Sequence, residues 1–154
     1  MKSENDTIDF ENSIAPWMGK TVKVVDYFLQ ESLKENSLDL TKEQMIVLKK
    51  LHGEDGLNQN ELAFLTLRNK SSLTRLLVKM EKKGYIKRIQ STTDKRNNNV
   101  FITANGKALF QKTMPVIKNL IHTVEKGISR EEKTQLTTIL KKIQENLHVT
   151  STHL

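Results

Sequence analysis

Apolar residues recur along this chain at two different periods, and the switch between them marks out its parts. From Pro16 to about Asn36, Trp17, Met18, Val24, Val25, Phe28, Leu29 and Leu33 fall at helical spacing. "LTKEQMIVLKKLHG" places Thr41 three residues before Gln44 and closes at Gly53. This is a capping-box pattern, in which two side chains satisfy the exposed N–H groups of a helix start. Asn58 and Glu61 repeat it in "NQNELAFLTL". The spacing predicts a further helix from about Lys70 to Lys83, ended by Gly84 in the position of a left-handed cap.

Past Gly84 the period shortens. "YIKRIQS" and "NVFIT" are short stretches rich in β-branched and aromatic residues, separated by the polar "TTDKRNN". They predict an antiparallel hairpin with a long basic loop. Thr103 with Gly106 then opens a long helix carrying Leu109, Phe110, Val116, Ile117, Leu120, Ile121 and Val124, with Pro115 expected to kink it. Ser129 and Glu132 form another capping box, ahead of a helix with Leu136, Ile139, Leu140, Ile143 and Leu147 on one face. The fold class expected is mainly α with a small β-hairpin wing: a winged helix-turn-helix between N- and C-terminal dimerisation helices. Residues 1–38 form the first arm, 39–104 the winged helix and 105–154 the second arm. The arms are too apolar on one face to be lone surface helices, so they are expected to pack together across a two-fold axis.

Charge sharpens this picture. Of 154 residues, 25 are Lys or Arg and 18 are Asp or Glu, a net of +7. Residues 69–96 alone hold nine basic residues against Glu81 and Asp94, again +7, so the remainder balances at 16 of each sign. Excess charge serving only solubility would be scattered; excess gathered in under a fifth of the chain suggests a negatively charged partner. The absence of Cys excludes disulfides, thiolate metal sites and cysteine redox sensing within this chain. The N-terminal "MKSENDTIDFENS" is acidic without an apolar core, and no apolar run approaches about 18 residues, so neither signal peptide nor membrane span is expected. A cytoplasmic protein is the expectation.

On the predicted helix from Lys70, Leu73, Leu76, Leu77 and Met80 share the arc that must face the core. Ser71, Thr74, Arg75, Val78, Lys79 and Lys82 face outward. Small hydroxyls permit close approach, and Arg reads guanine through two acceptors in the major groove of B-DNA. In a helix-turn-helix the N-terminal part of the second helix does the reading. Ser71, Ser72, Thr74 and Arg75 are therefore candidates for bases or nearby phosphates, Lys79 for a phosphate and Val78 for a thymine methyl. In the hairpin loop, Lys95 and Arg96 suit a minor groove, where narrow A·T segments attract Arg. Asp94 is no phosphate ligand; it is expected to hydrogen-bond Arg96 or the loop backbone and so fix where the guanidinium points, a role compatible with that of a turn-forming Asp.

"LDLTKEQMIVLKKL", "NELAFLTLRNKSSLTRLLVKMEKKGYIKR", "TTDKR" and "VFITANGK", in this order and spacing, resemble the MarR family of bacterial transcriptional regulators. The resemblance is close over about residues 38–110. It implies a homodimer of winged helix-turn-helix subunits, each placing a reading helix in a major groove of a near-palindromic operator. It puts the recognition helix at Asn69 to Lys79, with Lys70 in its first turn, and the wing arginine at Arg96 with its aspartate partner Asp94. "STT" precedes "DKR" where many members carry a further Asp or Arg, so this wing must be braced differently. The resemblance also implies release from DNA by a small aromatic or anionic effector, with Trp17, Tyr27 and Phe28 as candidates to line its crevice, although packed core or interface positions suit two of these three equally.

His52, His122, His148 and His153 have no metal-ligand spacing, and His122 is read as a packed or interface residue. No nucleophile–base pair, Gly-rich phosphate loop or cofactor motif is present, so neither an enzyme nor a cofactor is expected. The reading is thus a ligand-released repressor binding double-stranded DNA. The alternative is a winged-helix module that binds DNA nonspecifically or binds protein, since one fold serves both.

Overall fold

The computed structural model describes residues 7–148. The elements run α1 (Ile14–Glu35), α2 (Lys42–Gly53), β1 (Leu57–Asn58), α3 (Gln59–Leu65), α4 (Lys70–Lys82), β2 (Ile86–Gln90), β3 (Asn98–Ile102), α5 (Ala104–Val124) and α6 (Arg130–Asn146). The molecule is mainly helical with a three-stranded antiparallel sheet ordered β1-β3-β2. The hairpin register pairs Ile86 with Ile102 and Gln90 with Asn98. Pairing of Leu57 with Val100 adds an edge strand that sequence reading passed over. Two residues are too short to display an alternation, and Asn58 is already legible as a helix cap.

Local chemistry sets most boundaries. Thr41 and Asn58 each accept from the N–H three residues on, and the Gln44 and Glu61 side chains bond back, so both capping boxes are complete. Thr103 accepts from the Gly106 N–H at 3.0 Å. At α6 only half of the expected box forms: the Ser129 hydroxyl accepts from the Glu132 N–H at 3.1 Å without a reciprocal bond. α5 stays helical across Pro115, which lies on its exposed face.

Leu73, Leu77 and Met80 of α4 are fully buried against Leu62 of α3, Val47, Leu48 and Leu51 of α2, and Ile86 and Val100 of the sheet. Leu33 of α1 joins them, so the first arm is anchored in the core of the winged helix. Two further ties fix the base of the hairpin. The Tyr85 hydroxyl donates to the Asp39 carbonyl at 2.7 Å, and Lys83 pairs with the Asp39 carboxylate at 2.9 Å. The outer elements differ: α6 buries nothing, and Leu136, Ile139 and Leu147 stand exposed. Among the described residues, no helix is long and apolar enough to cross a membrane.

Candidate nucleic-acid interface

α4 begins where Asn69, in extended backbone, accepts the Ser72 N–H on its side-chain oxygen at 2.8 Å. One apolar stripe then sinks into the core, and the polar face is necessarily outward. Ser71, Thr74, Arg75, Lys79 and Lys82 are exposed, as are Asn69 and Lys70, while Ser72 and Val78 are half-buried. The Ser72 hydroxyl turns back to the Asn69 carbonyl at 3.2 Å, so this residue serves the cap as much as the surface.

Thr74 is more committed than the sequence suggested. Its hydroxyl donates to the Lys70 carbonyl at 2.8 Å and accepts from Gln59 Nε2 at 3.3 Å. A hydroxyl has one donor and two acceptor lone pairs, so one lone pair and the methyl group remain for a partner. Gln59 in turn accepts from Asn98 Nδ2 at 3.3 Å, which links β3 through α3 to the outward face of α4. Gln59, Asn60, Lys70, Thr74, Asp94 and Arg96 line a crevice of about 280 Å³ between α4 and the wing.

The wing is residues 91–97, closed by the Ser91 N–H to the Asn97 carbonyl at 2.9 Å. Asp94 accepts the Arg96 backbone N–H at 3.0 Å. The bond is to the loop backbone, as in a turn, and the aspartate forms no ion pair with the Arg96 guanidinium. Bracing comes from Ser91 of the "STT" run and from Gln90 just before it. The Ser91 hydroxyl accepts from the N–H groups of Thr93 and Asp94 at 3.3 Å, and the Gln90 amide donates to the Lys95 carbonyl at 2.6 Å. Lys95 and Arg96 are left exposed at the tip.

The nine basic residues of the window therefore fall into two groups. Lys83 and Arg88 hold Asp39 and Glu81 in ion pairs. Lys70, Arg75, Lys79, Lys82, Lys87, Lys95 and Arg96 pair with no acid among the described residues. Both acids of the window are turned to structural work. Glu81 accepts from the Arg88 guanidinium and backbone N–H, and the guanidinium bond is the first cause holding its carboxyl below the usual value. Apart from Asp94, the charge that faces solvent from α4 to the wing tip is cationic, a surface that attracts phosphates.

Comparison with known proteins agrees with this geometry. Over 134 residues the chain is 28% identical to the HTH-type transcriptional regulator SarZ of Staphylococcus haemolyticus, covering 87% of this chain and 86% of that one. It superposes on a MarR protein from Peptoclostridium difficile with a TM-score of 0.80 and 25% identity, over 92% of this chain and 90% of the other. A MarR-family regulator from Listeria monocytogenes, solved with a 26mer DNA, matches with a TM-score of 0.75 and 26% identity over 88% and 89% of the two chains. Residues 40–97 match the sequence model of the MarR family itself. Over its winged helix the chain is similar to the MarR family of regulators.

The proteins it resembles are named as transcriptional regulators, and in this chain the polar chemistry gathers on α4 and the wing. Among the described residues no three His, Asp or Glu side chains lie together as a metal site. His122 is exposed, not packed, within this subunit; the His52 ring lies tilted against Phe110, centroids 4.9 Å apart; His153 lies outside the described residues. The aromatic candidates for an effector crevice are not core residues either: Trp17, Tyr27 and Phe28 are 57%, 71% and 42% exposed. Trp17 lines an apolar cleft of about 500 Å³ with Met18 and Val22 of α1 and Leu136 and Leu140 of α6.

Sequence reasoning missed Gln59, Asn60 and Arg68, which line the clefts beside α4. Gln59 and Asn60 carry no local signal, because only the folded wing brings them beside Thr74 and Arg96. Arg68 did carry one: it stands just before a helix cap, where an apolar residue is usual.

Proposed function

We propose that this protein is a sequence-specific, DNA-binding transcriptional regulator acting as a homodimer in the bacterial cytoplasm. The observation that carries the reading is the set of seven unpaired cations on the outer face of α4, the hairpin and the wing tip of a chain similar to the MarR family. In this reading residues 39–104 are the DNA-binding unit. α4 enters the major groove with Asn69, Lys70, Ser71, Ser72, Thr74, Arg75 and Lys79, and Lys95 and Arg96 enter the adjacent minor groove with Asp94 shaping their turn. Arg75 reads guanine and Lys79 grips a phosphate. Residues 1–38 and 105–154 join two copies through the exposed apolar faces of α1, α5 and α6, which sets two reading helices on a near-palindromic operator. The protein represses, and a small aromatic or anionic effector bound between the arms and the reading unit releases it.

The test is selection of genomic fragments by the purified protein at ~0.15 M salt, with the bound DNA sequenced. Enrichment of an inverted repeat whose half-sites are about one helical turn apart is expected, with a preference of at least ~10³-fold over bulk DNA. Uniform recovery of all fragments would establish a nonspecific DNA-binding module instead. Recovery of none would leave the cations to a different partner.

A further inference from the structure

Arg68 sits one residue before Asn69, the cap of α4. An apolar residue at that place ordinarily packs on the fourth residue of the helix, here Leu73, and so fixes the angle at which the chain enters. An arginine can supply the packing with its methylene stem while its head goes elsewhere. Its backbone is well fixed: the Arg68 N–H donates to the Ala63 carbonyl at 3.0 Å, and the preceding Leu67 is held in the left-handed region at φ 52. The Nε atom is shielded from solvent and donates to nothing among the described residues. A shielded donor without an acceptor is unfavourable, and in a native fold such a group calls for a partner.

The surroundings say what kind. Arg68 lines an open groove of about 500 Å³ with Ser72, Arg75, Val78, Lys79 and Lys82. No carboxylate lines it, and none of its four cations forms an ion pair among the described residues. Four like charges around one groove repel each other until an anion enters. A guanidinium suits a tetrahedral oxyanion, because its fixed fork of N–H groups can bond two oxygens at once.

We infer that Arg68 is a phosphate clamp, gripping a phosphodiester of duplex DNA beside the reading face of α4. This rests on the DNA-binding reading above. The same chemistry could hold a free inorganic anion, but an open groove lined also by the proposed reading residues Arg75 and Lys79 fits a continuous backbone better. The role assigned is sequence-independent: Arg68 fixes how deeply α4 seats, and leaves the base preference to its neighbours.

The experiment uses the full chain, the fragment enriched above and a scrambled duplex of equal length, with Kd measured from ~0.05 to ~0.3 M KCl. Arg68→Leu restores the usual apolar residue, so its melting temperature should equal or exceed that of the wild type. Its salt dependence should be shallower by about one unit in log K against log salt, as counterion release predicts for one lost phosphate. The weakening should be equal on both duplexes. Arg68→Lys should keep the full slope. An unchanged slope in Arg68→Leu overturns the assignment, and so does an unfolded Arg68→Leu, which would make Arg68 a packing residue. If sulfate at fixed ionic strength raises the melting temperature of the wild type but not of Arg68→Leu, and the slopes agree, the site takes free anions and the DNA assignment falls. A wild type that binds neither duplex overturns the DNA-binding reading itself, an outcome distinct from all of these.

Discussion

A β-carbon at position 106 would lie 2.1 Å from the Tyr85 carbonyl oxygen and 2.9 Å from Ile102 Cγ1. The first turn of α5 is pressed against the strand that begins the wing, and the Thr103 N–H bonds that same carbonyl at 3.0 Å. Gly106 is required by proximity, since its conformation is ordinary helix. Gly106→Ala should therefore force the α5 start and the hairpin base apart and lower stability by ~2–3 kcal/mol, the upper range for overpacking. Urea unfolding followed by circular dichroism measures this, and an unmoved midpoint would show that the two elements can separate without loss. A sequence alone cannot reveal such a need. Gly106 reads as one more residue in a helix start, whereas Gly84, at φ 76, was legible because it ends a periodic stretch.

Elements were legible where their signals are local. The caps at Thr41, Asn58 and Thr103 each depend on a partner three residues away, and the buried stripe of α4 follows from its period alone. Connections between elements were not. Glu81, near the end of α4, accepts the backbone N–H of Arg88 in β2 at 2.9 Å and pairs with its guanidinium at 3.2 Å, across the Gly84 turn. The sequence supplies an acid and a base seven apart, with nothing to single them out from their neighbours. Their pairing has a pH signature. A carboxyl depressed on folding adds stability above its ordinary value of 4.5, and that contribution is lost as pH falls through the lower, folded-state value. Glu81→Gln should thus cost up to ~1 kcal/mol at neutral pH, since the pair is partly exposed. The difference between variant and wild type should shrink as pH falls below 4.5. Urea titrations at pH 3 to 7 would reveal it; a constant gap over that range would mean that the ion pair contributes nothing beyond shape.

For the whole molecule, the apolar surface left outside the core is the main unexplained cost. Ile14, Val24 and Tyr27 of α1, Ile121 and Val124 of α5, and Leu136 and Ile139 of α6 are all exposed in one subunit. Patches of this kind mark interaction surfaces, and a second copy of the chain is the occupant proposed above. Ile139→Asp, at a position 45% exposed within the subunit, should leave the fold intact and shift the mass by light scattering to one chain of 17.7 kDa. Operator affinity should fall by at least ~100-fold, because two linked half-site contacts become one. A wild type that already runs as a single chain would remove the dimer from the proposal.

The hydrogen bonds from Asn98 through Gln59 to Thr74 carry a mechanical implication. The hairpin that carries the wing is tied to α4 by these side chains and by the Glu81–Arg88 pair, so the unit they form is a stiff jaw. In a two-jawed tool the jaws do not deform; only the gap between them is adjustable. The gauge to be met is the helical pitch of DNA, about 34 Å. In the dimer proposed above, an effector at the arms then acts without disturbing any atom that touches a base. It need only spread the jaws off that pitch, and both grips are lost together.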